Sequence, residues 1–253
     1  MRLDYFLLPA FAVLVFACGG SGTDADRVED SGTVMDEIGT DASDWKVLFD
    51  GSSLEAWRNY GADTLGSAWK IDAVDNSLYL DVSDKSSWQT NNGGDIITRE
   101  SYDDYELELE WKISDCGNSG IIYNVTEDEA YDYVWRTGPE MQILDNSCHP
   151  DAKIYTHRAG DLYDMIAGDS TAVKAAGNWN KVRLVNRDGS VEHWMNGQKV
   201  VEYTNTGDEW AERIADSKFK DFGEQFGSAT GGKISLQDHG DPVWFRGVRV
   251  RAL

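Results

Sequence analysis

Basic residues are scarce in this sequence. Lysine and arginine number 23 against 45 aspartates and glutamates, and the formal net charge at pH 7 is −22. The few basic residues form no stripe that could follow a phosphate backbone. Because an acidic surface repels polyanions, no nucleic acid is expected as a partner, nor is an anionic membrane surface. A neutral carbohydrate is a compatible substrate.

Long apolar runs are also lacking, apart from residues 5–17, which are too few to span a bilayer. This run follows Arg2 and ends at Val15-Phe16-Ala17-Cys18, which resembles a lipoprotein signal box. A buried strand or helix is the alternative, but Gly19-Gly20-Ser21-Gly22 cannot continue it. We therefore predict a signal peptide over residues 1–18 with lipidated Cys18. The protein is then exported to the bacterial cell envelope, faces the periplasm or exterior, and touches membrane only through its lipid.

Large apolar side chains are nearly missing from residues 19–44. This segment consists mainly of Gly, Ser, Thr, Asp and Glu, with eight acids and one base, Arg27. Such a composition cannot bury enough surface to offset the entropy of ordering it. The sequence predicts a disordered acidic tether here, followed by one domain over residues 45–253.

Cysteine is the third scarcity, with three residues in the chain. If Cys18 carries lipid, Cys116 and Cys148 remain, and an exported protein meets conditions in which a disulfide persists. We predict that these two pair; two buried thiols are the alternative. No Cys and His spacing suggests zinc, and no EF-hand spacing is present. The abundant oxygen ligands are compatible with a structural Ca²⁺, and no redox cofactor is expected.

Alternating apolar and polar residues, rich in aromatic and β-branched side chains, recur through the domain and predict strands. Turn signals such as Asp188-Gly189 and Asn196-Gly197 separate them. A helical pattern occurs at residues 209–217 and, more weakly, at 218–225. The chain is therefore predicted to be all-β, as a two-sheet jelly roll of a kind that often binds carbohydrate on a concave face. The predicted strands are residues 77–82, 105–113, 119–125, 140–144, 180–186, 191–195, 199–203, 233–237 and 243–251.

Several stretches, in order, resemble the family of 3-keto-disaccharide hydrolases. They are residues 49–51 (FDG) with Leu54 and Trp57, 94–96 (GDI), 110–113 (EWKI), 117–121 (GNSGI), 138–146 (GPEMQILDN), 160–164 (GDLYD), 191–197 (VEHWMNG) and 236–240 (LQDHG). The resemblance implies a concanavalin A-like lectin/glucanase jelly-roll sandwich of two antiparallel sheets. It also implies activity as a 3-keto-glucoside 1,2-lyase and 3-keto-2-hydroxy-glucal hydratase.

The implied reaction fits the available side chains. A ketone at C3 of a sugar acidifies the hydrogen on C2, so a base can remove that proton and the substituent at C1 can leave. Water added back across the double bond completes a net hydrolysis. Both half-reactions need a base, an acid and a donor for the enolate oxygen, and neither needs a nucleophilic serine or cysteine.

Glu140 is the first candidate for the acid or base. In a strand it shares a face with Gln142, while Met141 and Ile143 point the other way. A carboxylate and an amide then project side by side, the first for proton transfer and the second for substrate binding. A solvated strand glutamate is the alternative.

Two histidines are further catalytic candidates because histidine titrates near neutrality. His157 lies in a predicted loop and His239 follows a predicted strand. Either could instead cap a loop. His193 alternates with Val191 and Met195, so it is predicted to face the core or the convex side.

Ten tryptophans and eleven tyrosines exceed the needs of a core of this size, and aromatic faces stack on the apolar faces of sugar rings. We predict that some line a substrate cleft. The predicted substrate-binding residues besides Gln142 are Tyr123, Trp135, Arg136, Trp194 and Gln237.

Two other functions fit the same fold. A retaining glycoside hydrolase of laminarinase type places two glutamates around an aspartate on one strand, and residues 140–145 have a similar outline with Gln142 and Asp145 substituted. Its two carboxyl groups lie about 5 to 5.5 Å apart. A non-catalytic carbohydrate-binding module would instead show an aromatic platform without a clustered acid, base and donor.

Overall fold

The computed structural model describes residues 44–253, which form thirteen strands and one α-helix. The strands are β1 Lys46–Phe49, β2 Trp57–Asn59, β3 Trp69–Asp72, β4 Ser77–Leu80, β5 Ile96–Thr98, β6 Tyr105–Ile113, β7 Asn118–Val125, β8 Glu140–Leu144, β9 Asn180–Arg187, β10 Ser190–Met195, β11 Gln198–Thr204, β12 Lys233–Leu236 and β13 Val243–Ala252. The helix α1 spans Gly207–Ala215. Short 3-10 helices lie at Val134–Arg136, Pro150–Lys153, Ser170–Ala172 and Lys218–Asp221.

Two antiparallel sheets make up the fold, as predicted. The larger has the order β11-β10-β9-β6-β13-β4-β3, with β1 also paired to β13, and the smaller has the order β2-β5-β12-β7-β8. The main core lies between them, where Leu107, Leu109 and Trp111 of β6 meet Ile121 and Met141 of the smaller sheet. The leader and residues 19–43 of the tether lie outside the described residues.

Ion pairs cover the outer face of the larger sheet. Period-two alternation in β6 sends Glu106, Glu108 and Glu110 to the side opposite the core, where they face arginines on β13. The pairs are Glu106 with Arg251, Glu108 with Arg249 and Glu110 with Arg246. Charged cross-strand pairs therefore line the centre of this face.

The hairpin of β10 and β11 confirms the prediction at Asn196-Gly197. Both residues have positive φ angles, 51° and 87°, as a tight hairpin turn requires. A bulge between His193 and Trp194 shifts the register of β10 against β11. His193 is fully buried, in agreement with its apolar alternation.

Four of the shortest strands were not predicted from the sequence. Strands β1, β2, β3 and β5 have only three or four residues, too few to show a period. The prediction of a helix at residues 218–225 is also wrong, since only the 3-10 helix Lys218–Asp221 forms there. Across residues 44–253, none of the helices is long and apolar enough to cross a bilayer.

A disulfide joins Cys116 and Cys148 in the structure. It ties the turn between β6 and β7 to the loop after β8. Asp145 supports the same junction, because its carboxylate accepts hydrogen bonds from Cys116 N at 2.8 Å and Ser147 N at 3.0 Å. The ends of β7 and β8 are therefore fixed together on one side of the smaller sheet.

Candidate active site

A cavity of about 410 Å³ opens on the outer face of the smaller sheet. Its floor is polar. Glu140 and Gln142 come from β8, Asn118 from β7, and Gln237 from the end of β12. Since β8, β7 and β12 are neighbours, four side chains from one sheet surface converge on one space.

Gly120 makes room for the carboxylate on this floor. It lies opposite Gln142 in the pairing of β7 with β8. A Cβ atom at position 120 would come within 2.1 Å of Glu140 Oε1, a distance that no side chain can tolerate. The missing side chain lets the Glu140 carboxyl lie over β7, inside the cavity.

Glu140 is only 7% exposed. Burial raises its pKa from 4.5 to about 8, a shift that nearby Lys218 opposes and the negative charges of Asp95 and Asp151 reinforce. Hydrogen bonds to the carboxylate do not contribute to this shift. A carboxyl group with a pKa near neutrality can both release and accept a proton at physiological pH.

Residues 160–163 hold β8 from its outer side. Gln142 N donates to Asp161 O at 3.1 Å, Gly160 N donates to Gln142 O at 2.8 Å, and Tyr163 N donates to Glu140 O at 3.0 Å. Strand β8 is thereby bonded on both sides, to β7 on one side and to residues 160–163, through Glu140 and Gln142, on the other. Their side chains are fixed in direction by the strand and not by a loop.

Two amide oxygens on the floor, Asn118 Oδ1 and Gln237 Oε1, are buried and have no hydrogen-bond partner among residues 44–253. Such groups are costly unless something satisfies them. Gln142 differs, because its Oε1 accepts a hydrogen bond from Ile143 N at 2.8 Å and leaves its amide nitrogen available. The floor therefore offers two acceptors and a donor to a hydroxylated ligand.

His239 reaches the cavity from the loop after β12. The buried carboxylate of Asp238 fixes that loop by accepting hydrogen bonds from Thr90 N, Gly94 N and Gly240 N at 2.7 to 3.0 Å. Burial lowers the pKa of His239 below its usual 6.5, so the imidazole is mostly neutral at pH 7. Neutral imidazole can accept a proton or orient water.

Asp95 is a second buried carboxyl group in this region. It accepts hydrogen bonds from Asp238 N at 3.0 Å and Gln89 Nε2 at 3.2 Å. Burial raises its pKa to about 7, and the nearby charge of Asp238 adds to the rise. Asp95 supports the loop that carries His239 and does not itself line the cavity.

Lys218 contributes a cation at the mouth of the cavity. Its ammonium nitrogen lies 3.9 Å from the centre of the Tyr163 ring, and both residues line the space. Desolvation lowers the pKa of Lys218, while Glu140 and Asp164 oppose the change. The residue itself remains solvent-exposed, so its charge can reach a ligand without being fully buried.

His157 lies behind Tyr163 and Lys218 and does not line the cavity. This corrects its assignment as a catalytic residue that touches substrate. It is 7% exposed and its ring centre lies 4.3 Å from that of Tyr163. Its Nε2 hydrogen-bonds Asp164 Oδ1 at 2.7 Å, and Asp164 Oδ2 accepts from Lys218 N at 2.6 Å. His157 therefore supports Tyr163 and Lys218, which do line the cavity.

Three predicted binding residues lie elsewhere. Tyr123 is fully buried in the core, where its hydroxyl bonds His193 and Tyr203. Trp194 lies on β10 of the larger sheet, and its Nε1 donates to Glu192 at 2.7 Å. Arg136 stacks over Phe222 at 4.3 Å and does not line the cavity.

Five predicted residues do meet in the cavity, namely Glu140, Gln142, Trp135, Gln237 and His239. Six further residues line the cavity and were not predicted from the sequence: Trp88, Asn118, Tyr163, Lys218, Phe219 and Phe222. Asn118 and Tyr163 fall within the family motifs at residues 117–121 and 160–164, and these motifs were the only sequence feature that could have identified them. The motifs do not include Trp88, Lys218, Phe219 or Phe222.

Aromatic side chains form one wall of the cavity above the polar floor. Trp88, Tyr133, Trp135 and Phe222 follow one another in contact, with ring centres 5.5, 4.9 and 5.6 Å apart. Trp88 also meets the edge of His239 at 6.0 Å. Trp88, Trp135 and Phe222 line the cavity, and Tyr133 packs against Trp88 and Trp135. We call these four side chains the aromatic wall.

Solved structures support the fold. A Parabacteroides distasonis protein with a provisional glycosyl hydrolase name is 29% identical, with a TM-score of 0.73 over 84% of this chain and 95% of that chain. A Bacillus subtilis protein described as having a galectin-like fold is 14% identical, with a TM-score of 0.51 over 82% of this chain and 94% of that chain. The second likeness concerns the fold alone, and it agrees with the predicted jelly roll.

Sequence comparison is more specific. A protein of Bacteroides thetaiotaomicron named 3-keto-disaccharide hydrolase is 34% identical over 237 residues, which cover 86% of this chain and 81% of the relative. The family model described as the 3-keto-alpha-glucoside-1,2-lyase-like domain matches residues 44–251. This match includes the whole smaller sheet and every residue of the cavity, and the chain belongs to the 3-keto-alpha-glucoside-1,2-lyase-like domain family.

Proposed function

We propose that this protein cleaves 3-keto-glucosides, including 3-keto-disaccharides, by elimination followed by hydration. The observation that carries the proposal is the buried Glu140 carboxyl, with a pKa of about 8, on a floor of otherwise neutral hydrogen-bonding groups. The family and the name of the Bacteroides relative support the substrate class.

Elimination begins when the Glu140 carboxylate takes the proton from C2 of the sugar. The electrons of the C2–H bond form the enolate with the C3 ketone, and they then form the C1–C2 double bond as the C1–O bond breaks. The departing oxygen receives a proton from Lys218 or from water. Donors in the cavity, including the Gln142 amide nitrogen, stabilise the charge on the C3 oxygen.

Hydration reverses the proton transfer at the same carbon. Water adds its oxygen to C1 of the 2-hydroxy-glucal, and protonated Glu140 returns its proton to C2. Neutral His239 accepts the proton that the attacking water loses. His239 then passes its proton through water to Lys218, or to the hydroxide left when water protonated the departing oxygen. The sum of both steps is a keto-glucoside plus water giving 3-keto-glucose plus the alcohol, with no net change in the protein.

The retaining-glycanase alternative receives less support from the geometry. That mechanism needs a second carboxylate close to Glu140. Asp145 was its candidate, but its carboxylate accepts hydrogen bonds from Cys116 N and Ser147 N at the disulfide junction. It does not line the cavity.

Glu140→Gln tests the proposal directly. The amide keeps size and hydrogen bonding but cannot accept a proton, so we expect single-turnover cleavage of a 3-keto-glucoside to slow by about 10² to 10⁴. Substrate binding should persist. Gln142→Ala should chiefly weaken binding, and the exposed Glu202→Gln should change neither.

The assay follows enone absorbance and free alcohol with both oxidised and unoxidised glucosides. Normal turnover by Glu140→Gln would remove Glu140 from the mechanism. Cleavage of only the unoxidised glucosides by the wild-type protein would overturn the proposed function and revive the glycanase alternative.

A further inference from the structure

The lining of the cavity includes two chemically different parts, a polar floor and an aromatic wall, and Tyr163, Lys218, Phe219 and His239 complete it. All of the floor side chains from β7, β8 and the end of β12 carry carboxyl or amide groups. The aromatic wall comes from three other segments, around residues 88, 133–135 and 222. No strand supplies it, so it is a separate structure built beside the sheet.

Trp88 has an unusual position for its size. It is 43% exposed, whereas Trp57 and Trp111 are at most 1% exposed. Of the large hydrophobic residues that are exposed in the described part of the chain, Trp88 alone lines this cavity. An exposed apolar surface next to a polar pocket is characteristic of a ligand-binding position.

The proposed reaction determines which part of the substrate lies on the floor and which part lies at the wall. C2 must lie next to Glu140, so the keto-sugar ring occupies the polar floor. The floor is closed below by the sheet, so the substituent at C1 points away from it, and we place it against the aromatic wall of the same cavity. Tyr133 and Trp135 lie nearly parallel there, with an interplanar angle of 8°, and Trp88 continues the surface toward His239.

We infer that the aromatic wall is the leaving-group subsite and that it favours planar aromatic leaving groups over a second sugar. This inference rests on the proposed function and extends it to the substrate class. Stacked rings offer area and quadrupole contacts to an aromatic group. A second sugar would need hydrogen-bonding partners, and the four side chains of the wall provide only the Tyr133 hydroxyl and two indole N–H groups.

The test compares phenyl and methyl 3-keto-α-glucosides and a 3-keto-disaccharide in wild-type protein, Trp88→Ala and Trp88→Phe. We expect Trp88→Ala to lower kcat/KM for the phenyl compound by at least about tenfold, because a stacked aromatic contact and its buried area are lost. The methyl compound and the disaccharide should both lose less than the phenyl compound, and Trp88→Phe should recover part of the loss.

Trp179→Ala is the matched control, because Trp179 contacts Lys112 and Arg246 on the larger sheet, away from the cavity. Equal losses for all three compounds in Trp88→Ala would overturn the inference, as would no loss at all. A larger loss for the disaccharide than for the phenyl compound would also overturn the preference for aromatic groups.

Binding separates failure of the subsite from failure of the proposed function. Calorimetry with unoxidised phenyl and methyl α-glucosides requires no turnover. Tighter binding of the phenyl compound that is lost in Trp88→Ala supports the subsite, even if no keto-glucoside is cleaved. Equal binding of the two compounds by the wild-type protein contradicts it.

Discussion

The carboxyl of Glu140 keeps its proton over a pH range in which a solvated glutamate has lost it. The strand and the neighbouring Gly120 hold it against the sheet, and burial raises its pKa to about 8. A group placed in this way is suited to proton transfer. It also makes the stability of the folded protein decrease as the pH becomes alkaline.

The sign of this effect follows from the two pKa values. Between pH 4.5 and about 8 the folded state binds more protons at Glu140 than the unfolded state does, so stability falls as pH rises through that interval. Glu140→Gln removes the dependence. We expect the variant to gain on the order of a few kcal/mol over wild type at pH 9 relative to pH 4.

Chemical denaturation at a series of pH values measures this difference. The gap between the two stability curves should widen from pH 4.5 to about 8 and then level off, as the shifted pKa requires. Curves that remain parallel would show that the carboxyl is solvated in the folded protein.

At the scale of elements, the site joins a rigid sheet to the loop of residues 155–168 and the 3-10 helix Lys218–Asp221. Asp164 links the latter two, because it bonds His157 with one oxygen and Lys218 N with the other. This arrangement makes Asp164 and His157 positioning residues for Lys218. Lys218 in turn lowers the pKa of Glu140.

Asp164→Asn should therefore act through Lys218. We expect kcat/KM to fall by about tenfold, because misplacement of a charged group near the reacting atoms weakens its contribution. The pH profile should also move to higher pH, since Glu140 loses part of the influence of the cation.

Asp169→Asn is the matched control, because Asp169 caps the 3-10 helix Ser170–Ala172 through Thr171 N in the same manner but lies outside the cavity. A loss of activity without any movement of the pH profile would show that Asp164 only stabilises the loop.

The elements also explain which parts of the site the sequence could predict. Glu140 and Gln142 lie on one strand, and period two places them together whatever the surrounding fold. Trp88 reaches the cavity from an irregular segment and Lys218 from the start of a short 3-10 helix, so no local pattern connects either of them to Glu140. Tyr123 was assigned wrongly because every residue of β7 is buried, and burial on both faces removes the contrast between core and cavity.

Trp194 shows a different limit. Its alternation with His193 was interpreted correctly, but the sequence did not show which of two sheets carries the cavity. The cavity lies on the smaller sheet, whereas the outer face of the larger sheet carries ion pairs between β6 and β13. That arrangement depends on strand order, and strand order follows from pairings between residues at least 130 positions apart.

At the scale of the whole molecule, membrane attachment is a separate question from the domain. The prediction for Cys18 stands on the sequence alone, since that residue lies outside the described part. We propose that a lipid on Cys18 anchors the protein in the cell envelope. Without lipid, a cleaved apolar leader leaves nothing to hold the domain at a membrane.

Cys18→Ser should therefore release the protein into the soluble fraction, while activity of the purified domain stays unchanged. Fractionation of cells producing wild type and the variant, with mass spectrometry of the mature N-terminus, measures both attachment and processing. A variant that stays with the membrane after its leader has been removed would contradict lipid anchoring.

The strand that carries Glu140 and Gln142 is the last in its sheet. A bare final strand offers unpaired backbone groups to any other extended chain, and such edges promote aggregation. Here residues 160–163 occupy the free side of β8 through three backbone hydrogen bonds. The same bonds that hold the site in place therefore also prevent β8 from recruiting a strand of another molecule, so the reactive edge of the sheet is protected from self-association.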